Sequence, residues 1–244
     1  MVRYKVILIY DGTDFQGFQR QPKKRTVQGI FEGALREIGW QGSSINAAGR
    51  TDTGVHASGQ VIAFDFEWAH SAEDLKSALN ANLPPDVAVA NVSITKPDFH
   101  PRFDAMWRRY QYRLYFKSAR DPLRDRYSWR IWPVVDFERM GKVADLLIGQ
   151  HDFAAFGSPQ NSGGRTERVV SNAFWEDHGD ESIFDIKANG FLYHMVRRLV
   201  RFQVDVGLGR RDPKSIKKLL DNSSATMIQG LAPAKGLTLV EVTY

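Results

Sequence analysis

The stretch Asn46–Phe66, NAAGRTDTGVHASGQVIAFDF, constrains this chain more than any other, because it sets one carboxylate, Asp52, in a polar turn between two strands. Gly49 and Gly54 can adopt positive φ without a Cβ penalty, so the backbone is expected to bend on either side of Arg50-Thr51-Asp52-Thr53 and push those side chains outward. From Gln60 to Phe66, Val61, Ala63 and Asp65 alternate with Ile62, Phe64 and Phe66, which predicts a strand mostly buried on both faces. A charged tip on a rigid apolar stem is how scaffolds present functional side chains. A loop aspartate ordinarily caps its own turn. Here Arg50, Thr51, Asp52, Thr53 and His56 crowd into seven positions, more special residues than a cap requires.

The 244 residues, 43% of them hydrophobic, suffice for one large domain or two modest ones. The opening MVRYKVILIYDG reads directly as a strand, and no apolar run reaches the about 18 residues a membrane helix needs. A cytoplasmic protein without signal peptide or membrane segment is expected. With no cysteine, thiolate nucleophiles, disulfides, Cys-ligated zinc and iron–sulfur clusters are excluded. The six histidines form neither His-x-x-x-His nor HExxH, so no protein-bound metal is expected. The net charge of +5 is modest, but nine Lys or Arg face three Asp between Pro101 and Arg130. They are interleaved with Trp107, Tyr110, Tyr112, Tyr115, Phe116, Tyr127 and Trp129, a pattern suited to a polyanion whose bases stack.

Along the chain, Arg3–Tyr10 alternates as a strand and Asp11-Gly12 turns it. The triplet Asp11-Gly12-Thr13 lacks the earlier Asp of a dehalogenase-type phosphatase, with Ile9 in its place, so it is taken as turn chemistry. The following TDFQGFQRQPKKR is expected to be a loop with aromatic and basic groups at its surface. Thr26 caps a helix whose apolar face is Val27, Ile30, Phe31, Ala34, Leu35 and Ile38. A short strand at Ser44–Ala48 leads into the Asp52 loop. Ser71-Ala-Glu-Asp74 opens a second helix with a capping box, and Val87–Ile94 closes the set as a strand. This is β-α-β-β-α-β, the split ferredoxin-like order. The second half repeats it with additions: strands at 105–116 and 127–132, a helix capped by Asp136, the loop SPQNSGGR, strands at 167–176 and 182–188, a long helix from Phe191 to Val206, a shorter one after Pro213 and a last strand at 237–242. The expected fold is therefore α+β, two ferredoxin-like halves in pseudo-two-fold relation, mostly antiparallel with helices on one face. The halves are expected at residues 1–103 and 104–244, with a cleft between them as the natural place for a site.

GRTDTGVHASGQV resembles the signature G-R-T-D-A-G-V-H-A-x-x-Q-V of the tRNA pseudouridine synthase A family, with Thr53 where the pattern has Ala. Five further blocks are similar in the same order: YDGTDFQGFQRQ, FHPRFDAMWRRYQYRLYF, HDFAAF at 151–156, GFLYHMVRRLV and APAKGLTLVEV. The resemblance implies that Asp52 is the catalytic nucleophile, that Tyr110 stacks on the target base, and that Arg197 neighbours the carboxylate, where a guanidinium stabilises the ionised form. Arg198 and Arg201 stand where the pattern has Asn and Gly. Tyr112, two residues from Tyr110, points to the same face of a strand. Arg50 is expected to fill the space a flipped base leaves or to grip its phosphate. Arg20, His56, Arg108, Arg109, Tyr112 and Arg198 are candidate RNA contacts.

The family implies a cofactor-independent, metal-free isomerase that converts uridine to pseudouridine in tRNA, on the 3′ side of the anticodon stem-loop at about positions 38 to 40. It also implies a homodimer with one tRNA across both subunits. A non-catalytic RNA-binding protein or RNA chaperone of ferredoxin-like fold would explain the charge pattern equally well, but not Asp52. A glycosidase would need a carboxylate pair that the central loop lacks.

Overall fold

The computed structural model describes residues 1–159, 161, 163–221 and 226–244, so Gln160 and Ser162 of the expected SPQNSGGR loop lie outside the described residues. In chain order the strands and helices are β1 (Val2–Tyr10), α1 (Val27–Glu37), β2 (Asn46–Ala47), β3 (His56–Phe66), α2 (Ala72–Asn82), β4 (Val87–Ile94), β5 (Trp107–Phe116), β6 (Trp129–Ile131), α3 (Phe137–Asp145), β7 (Gly149–Asp152), β8 (Glu167–Asp177), β9 (Glu181–Ala188), α4 (Met195–Gly207), α5 (Ser215–Leu220) and β10 (Leu237–Thr243). The protein is α+β, and its strand pairing is largely antiparallel; β10 with β3 and β6 with β5 run parallel. Two compact units emerge, Met1–Met106 with Thr238–Tyr244, and Trp107–Leu237.

In the first unit β1 lies between β3 and β4, antiparallel to both, and β2 pairs with the far edge of β3. That is the sheet order of a split β-α-β-β-α-β unit. β3 begins at His56, four residues earlier than the alternation suggested, and its two ends have different partners. β2 takes Ile62 and Ala63, whereas the closing strand β10 takes His56 and Ala57. The expected double burial of β3 has a cause on each face. Phe64 meets Phe31 of α1, Trp40 and Tyr4 at ring-centroid distances of 5.9, 6.2 and 6.1 Å. Val61 and Ala63 pack with Ala48 and Phe99, covered by Ile7, Val242 and Tyr244. Thr26 caps α1 by accepting from the Gly29 amide, and Ser71 with Asp74 forms the reciprocal capping box on α2.

In the second unit β9 pairs with β5 and β8, β7 continues from β8, and β6 adds to β5. α3, capped by Asp136, packs on α4 and β8. The strand, helix, hairpin, helix order repeats, with β6 and β7 added, but the closing strand expected to end the second half, β10, belongs to the first unit, where it pairs with β3; β7 carries no apolar alternation and was not foreseen. The long helix starts later than its apolar pattern suggested. Phe191–Tyr193 are not helical because His194, the residue before α4, has φ of 65° and Tyr193 N–H donates to Ser158 O at 2.9 Å. A left-handed residue cannot continue a helix. No helix among the described residues is long and apolar enough to cross a membrane.

One buried carboxylate ties the first unit together. Glu32 on α1 has no solvent exposure and accepts from Arg20 at 2.6 Å, from the Gln28 amide at 2.8 Å and from the Ile45 N–H at 3.2 Å. It therefore couples the loop before α1 to the segment entering β2. Removing it orphans the Ile45 N–H and an amide of Gln28, and unsatisfied buried polar groups cost roughly 1–3 kcal/mol each. Glu32→Ala is expected to lower stability by about 2–4 kcal/mol, measured by urea unfolding, far beyond the effect of an ordinary surface glutamate.

Candidate active site

Asp52 stands four residues before β3 in a loop held by both of its neighbouring strands. Ala48 N–H donates to Val61 O at 2.8 Å, and the side-chain amide of Gln60 donates to Gly49 O at 3.0 Å. Thr51 O accepts from Phe18 N–H at 3.0 Å, Gly54 N–H donates to Phe15 O at 3.4 Å, and Val55 N–H closes a turn on Asp52 O at 3.1 Å. Beneath the loop the Tyr10 hydroxyl and Thr51 Oγ1 are hydrogen-bonded at 2.8 Å. Tyr10, Thr51 and Gln60 are 2%, 7% and 0% exposed. Arg50 and Thr53 are exposed and Asp52 is half-buried. The loop thus exposes Arg50 and Thr53 and leaves Asp52 half-buried, but it turns Thr51 inward onto Tyr10, whereas the sequence had suggested that all four side chains point outward. Burial pushes the Tyr10 hydroxyl up to about 12, with the hydrogen bonds of Thr51 and Gln60 acting in the opposite direction.

The glycines that shape this loop are not quite those expected. Gly54 takes positive φ of 77°, but Gly49 does not, and a Cβ on Gly49 would meet nothing within 4 Å. The second special position is Gly17, in the loop after β1, at φ of 84°, where a Cβ would lie 3.0 Å from Thr51 O and 3.3 Å from Thr53 N. A Cβ on Gly12 would overlap the Val55 carbonyl, so the missing side chains of Gly12 and Gly17 together let the two loops approach. The aromatics of that neighbouring loop were expected at the surface; Phe15 and Phe18 are instead buried. Phe18 packs on Tyr10, and the Arg25 guanidinium lies 4.1 Å over Phe15 while pairing with both oxygens of Asp86 at 2.8 and 2.9 Å. Asp86 raises the Arg25 pKa.

Asp11 acts as turn chemistry, accepting from the Thr13 amide at 3.0 Å and the Thr13 hydroxyl at 2.6 Å. His56 is 4% exposed, and its Nδ1 accepts from Gly12 N–H at 3.0 Å, which places the proton of the neutral ring on Nε2. Asp11 Oδ1 lies 3.2 Å from the same nitrogen. Proposed from sequence as an RNA contact, His56 sits inside the protein, joining the loop after β1 to the first residue of β3. Arg20, another such candidate, is engaged by Glu32 and by Ser43 O at 3.3 Å.

In the second unit Tyr110 is half-buried and meets the edge of Phe191 at 5.1 Å and 85°. Tyr112 needs correction as an RNA contact. It shares a strand face with Tyr110, but it has no exposure, donates to Pro233 O at 2.8 Å and meets Trp129 edge-on, and burial raises its pKa well above the usual value. It is a core side chain. Arg197 and Ala232 are clamped twice, Arg197 Nε to Ala232 O at 2.8 Å and Ala232 N–H to Arg197 O at 3.2 Å. Arg198 donates to Phe156 O at 3.3 Å, and Arg108 to Asn189 O at 2.9 Å. Arg109 pairs with Asp185, which is fully buried, through Nε at 2.8 Å and Nη2 at 2.7 Å. Much of the basic segment is answered in this way: Arg113 by Glu181, Arg124 by Asp180, Lys117 by Asp121. Among the described residues no group of three or more His, Asp or Glu is arranged to hold a metal ion.

Tyr10, Gly17 and Gln60 were not singled out by sequence. Gln60 carried a signal, an amide at the head of the apolar run Val61–Phe64, which in a buried position must have partners.

A family model described as tRNA pseudouridine synthase matches residues 6–104 and 143–244. The chain is 40% identical over 250 residues to tRNA pseudouridine synthase A of Limosilactobacillus fermentum, covering 100% of this chain and 96% of that protein. Its counterpart in Geobacillus kaustophilus is 41% identical, covering 99% and 94%, and that in Brevibacillus brevis 38%, covering both chains in full. One solved structure, of a Cbf5-Nop10-Gar1 complex, overlaps 82% of this chain at a TM-score of 0.38 and 11% identity, too faint a likeness to argue from. Matched from the first strand to the last and carrying the Asp52 loop intact, the chain belongs to the tRNA pseudouridine synthase family.

Proposed function

We propose that this protein isomerises uridine to pseudouridine in tRNA, on the 3′ side of the anticodon stem-loop at about positions 38 to 40, with Asp52 starting the reaction. The observation that carries the assignment is the loop itself. Asp52 is the sole carboxylate of residues 48–55, half-buried on a backbone that its neighbours fix from both sides. For binding alone, a carboxylate turned toward a polyanion is unfavourable; for chemistry it is the group required.

The reaction breaks the bond from ribose C1′ to uracil N1, turns the detached base and joins C1′ to C5. N1 gains a proton as C5 loses one, so atoms and electrons balance without an oxidant or co-reactant. An ionised Asp52 can begin by bonding covalently to the ribose or base, or by taking the C2′ proton. Either requires the uridine to leave the stack, at about a few kcal/mol. Stacking on Tyr110 returns roughly 1–3 kcal/mol of this. Arg50, exposed two residues from Asp52, fills the vacated space or holds the flipped phosphate, and Arg197 is a further substrate-binding residue.

Incubated with an unmodified tRNA transcript in the presence of chelator, the wild-type protein is expected to form pseudouridine in the anticodon arm, mapped by its selective chemical adduct, and Asp52→Asn to form none. Product from Asp52→Asn at the wild-type rate would remove the nucleophile assignment, and tight binding by both proteins with no product from either would remove the enzymatic reading.

Arg50→Ala and Tyr110→Ala are expected to lower turnover at least tenfold with unchanged thermal unfolding. Tyr112→Ala is expected to lose about 3–5 kcal/mol of stability, as for other buried aromatics. Steady-state kinetics beside calorimetry separates the two kinds of residue, and wild-type kinetics in Arg50→Ala would exclude its role.

The active species in this reading is a cytoplasmic homodimer holding one tRNA across both subunits. Light scattering is expected to give twice the chain mass; a monomer at assay concentration would refute the dimer.

A further inference from the structure

We propose that Tyr10 and Gln60 are positioning residues that hold Asp52 in register for the reaction, acting through Thr51 and Gly49. The inference rests on Asp52 being the nucleophile. Counting back from Asp52, the previous residue and the one three before it are each tethered by a buried side chain. The Tyr10 hydroxyl holds Thr51 Oγ1 at 2.8 Å, and the Gln60 amide holds Gly49 O at 3.0 Å. Both anchors belong to one hairpin-like pair of strands, Tyr10 ending β1 opposite Ala57 and Gln60 lying in β3 opposite Leu8. Neither tether can slacken by exchanging with bulk water, since Tyr10 and Gln60 are closed to solvent.

Gln60 is committed on both sides of its amide. Its Oε1 accepts from Val61 N–H at 3.1 Å while its Nε2 serves Gly49, so the side chain cannot rotate without breaking one bond. Thr51 is held likewise, its carbonyl by Phe18 N–H and its hydroxyl by Tyr10. Arg50 lies between the two tethered residues and is exposed, and Asp52 follows directly after them and is half-buried. A carboxylate that must meet one ribose or base atom needs placement to within about 0.5 Å, and a shift of about 1 Å costs on the order of a hundredfold in rate. Tethers to the residues around Asp52 supply that placement without touching the substrate.

The experiment is steady-state kinetics and tRNA binding for Tyr10→Phe, Thr51→Val, Thr51→Ser and the double variant Tyr10→Phe/Thr51→Val, with Asp52→Asn alongside. Tyr10→Phe and Thr51→Val are each expected to lower kcat about 10- to 100-fold while KM and the tRNA Kd stay within about twofold. The double variant is expected to be no slower than Tyr10→Phe, which by itself removes the bond to Thr51 along with the Tyr10–Gln60 interaction. Thr51→Ser, which restores the hydroxyl, is expected to recover most of the rate lost in Thr51→Val. Wild-type kcat in Tyr10→Phe overturns the proposal, as does a loss of tRNA binding equal to the loss of kcat. Should Tyr10→Phe fail to fold, the Thr51 pair decides: Ser faster than Val supports the tether, and no difference between them overturns it. Turnover by Asp52→Asn is a separate result, overturning the nucleophile assignment itself.

Discussion

The Asp52 loop stands on the pairing of β1 with β3. That ladder runs from Val2↔Phe66 to Tyr10↔Ala57, with an irregularity between Leu8 and Tyr10 just where the strands reach the loops. Because side chains alternate, a one-residue slip would turn Tyr4, Val6 and Leu8 out of the core and Lys5 into it, so the register is fixed by burial over the whole strand. The same register delivers Tyr10 beneath Thr51 and His56 beside Gly12. The β1–β3 pair is in turn immobilised by burial of β3 on two sides, by Phe31 and Trp40 against Phe64 on one and by Phe99, Val242 and Tyr244 around Val61 and Ala63 on the other. Hydrophobic packing thus sets the position of the hydrogen bonds, and the hydrogen bonds set the loop.

The charges follow a different logic. Glu32 and Asp185 are fully buried carboxylates, each paired with an arginine that keeps part of its guanidinium in water, Arg20 at 48% and Arg109 at 38%. Such pairs add little net stability over an apolar alternative, but losing one partner strands the other, so they specify geometry more than they strengthen it. They also reassign the basic residues. Between Pro101 and Arg130 the local excess of positive charge is partly an internal matter, with Arg109, Arg113 and Arg124 reaching across the sheet or its turn to Asp185, Glu181 and Asp180. A guanidinium already bridged to a carboxylate releases fewer counterions on meeting a phosphate, so counting Lys and Arg along the sequence overstates the RNA footprint.

What was legible in the sequence was the part governed by local periodicity and local capping. Thr26, Ser71 with Asp74, and Asp136 start their helices where their side chains can accept from the backbone, and the alternation of β3 foretold burial on both faces. What was not legible depends on contacts between segments far apart in the chain. Phe15 and Phe18 lie in a polar, glycine-punctuated stretch, and their burial follows from that stretch folding back over Tyr10 and α1, which no window of its own residues encodes. Gly49 looked like a hinge because it flanks Arg50, whereas the steric demand falls on Gly12 and Gly17, more than thirty positions earlier, where the backbone of the Asp52 loop passes within contact. Tyr112 shares its strand parity with Tyr110, yet one is closed over by Pro233 and Trp129 and the other is not, a difference set by the distant segment that covers each. The late start of α4 follows from His194 in a left-handed conformation, a state common only in glycine and uncommon enough elsewhere that apolar spacing alone carries past it.

The departures from the family pattern fall where this physics allows them. Thr53 replaces a smaller residue beside Asp52, but it is exposed, so its methyl and hydroxyl enter no packed space. Arg201 replaces a glycine on α4, and its stem runs past Gly230, which holds positive φ of 83°, while its guanidinium reaches Asp205 one turn on at 3.2 Å. The chain on the far side of Arg201 thus offers a glycine, and the space a side chain needs is found there. Thr51 and Gln60 keep the pattern, and they are the positions whose side chains point inward to bonds that only a hydroxyl or an amide can make. Within the loop, tolerance to change tracks the direction a side chain faces more closely than its distance from Asp52.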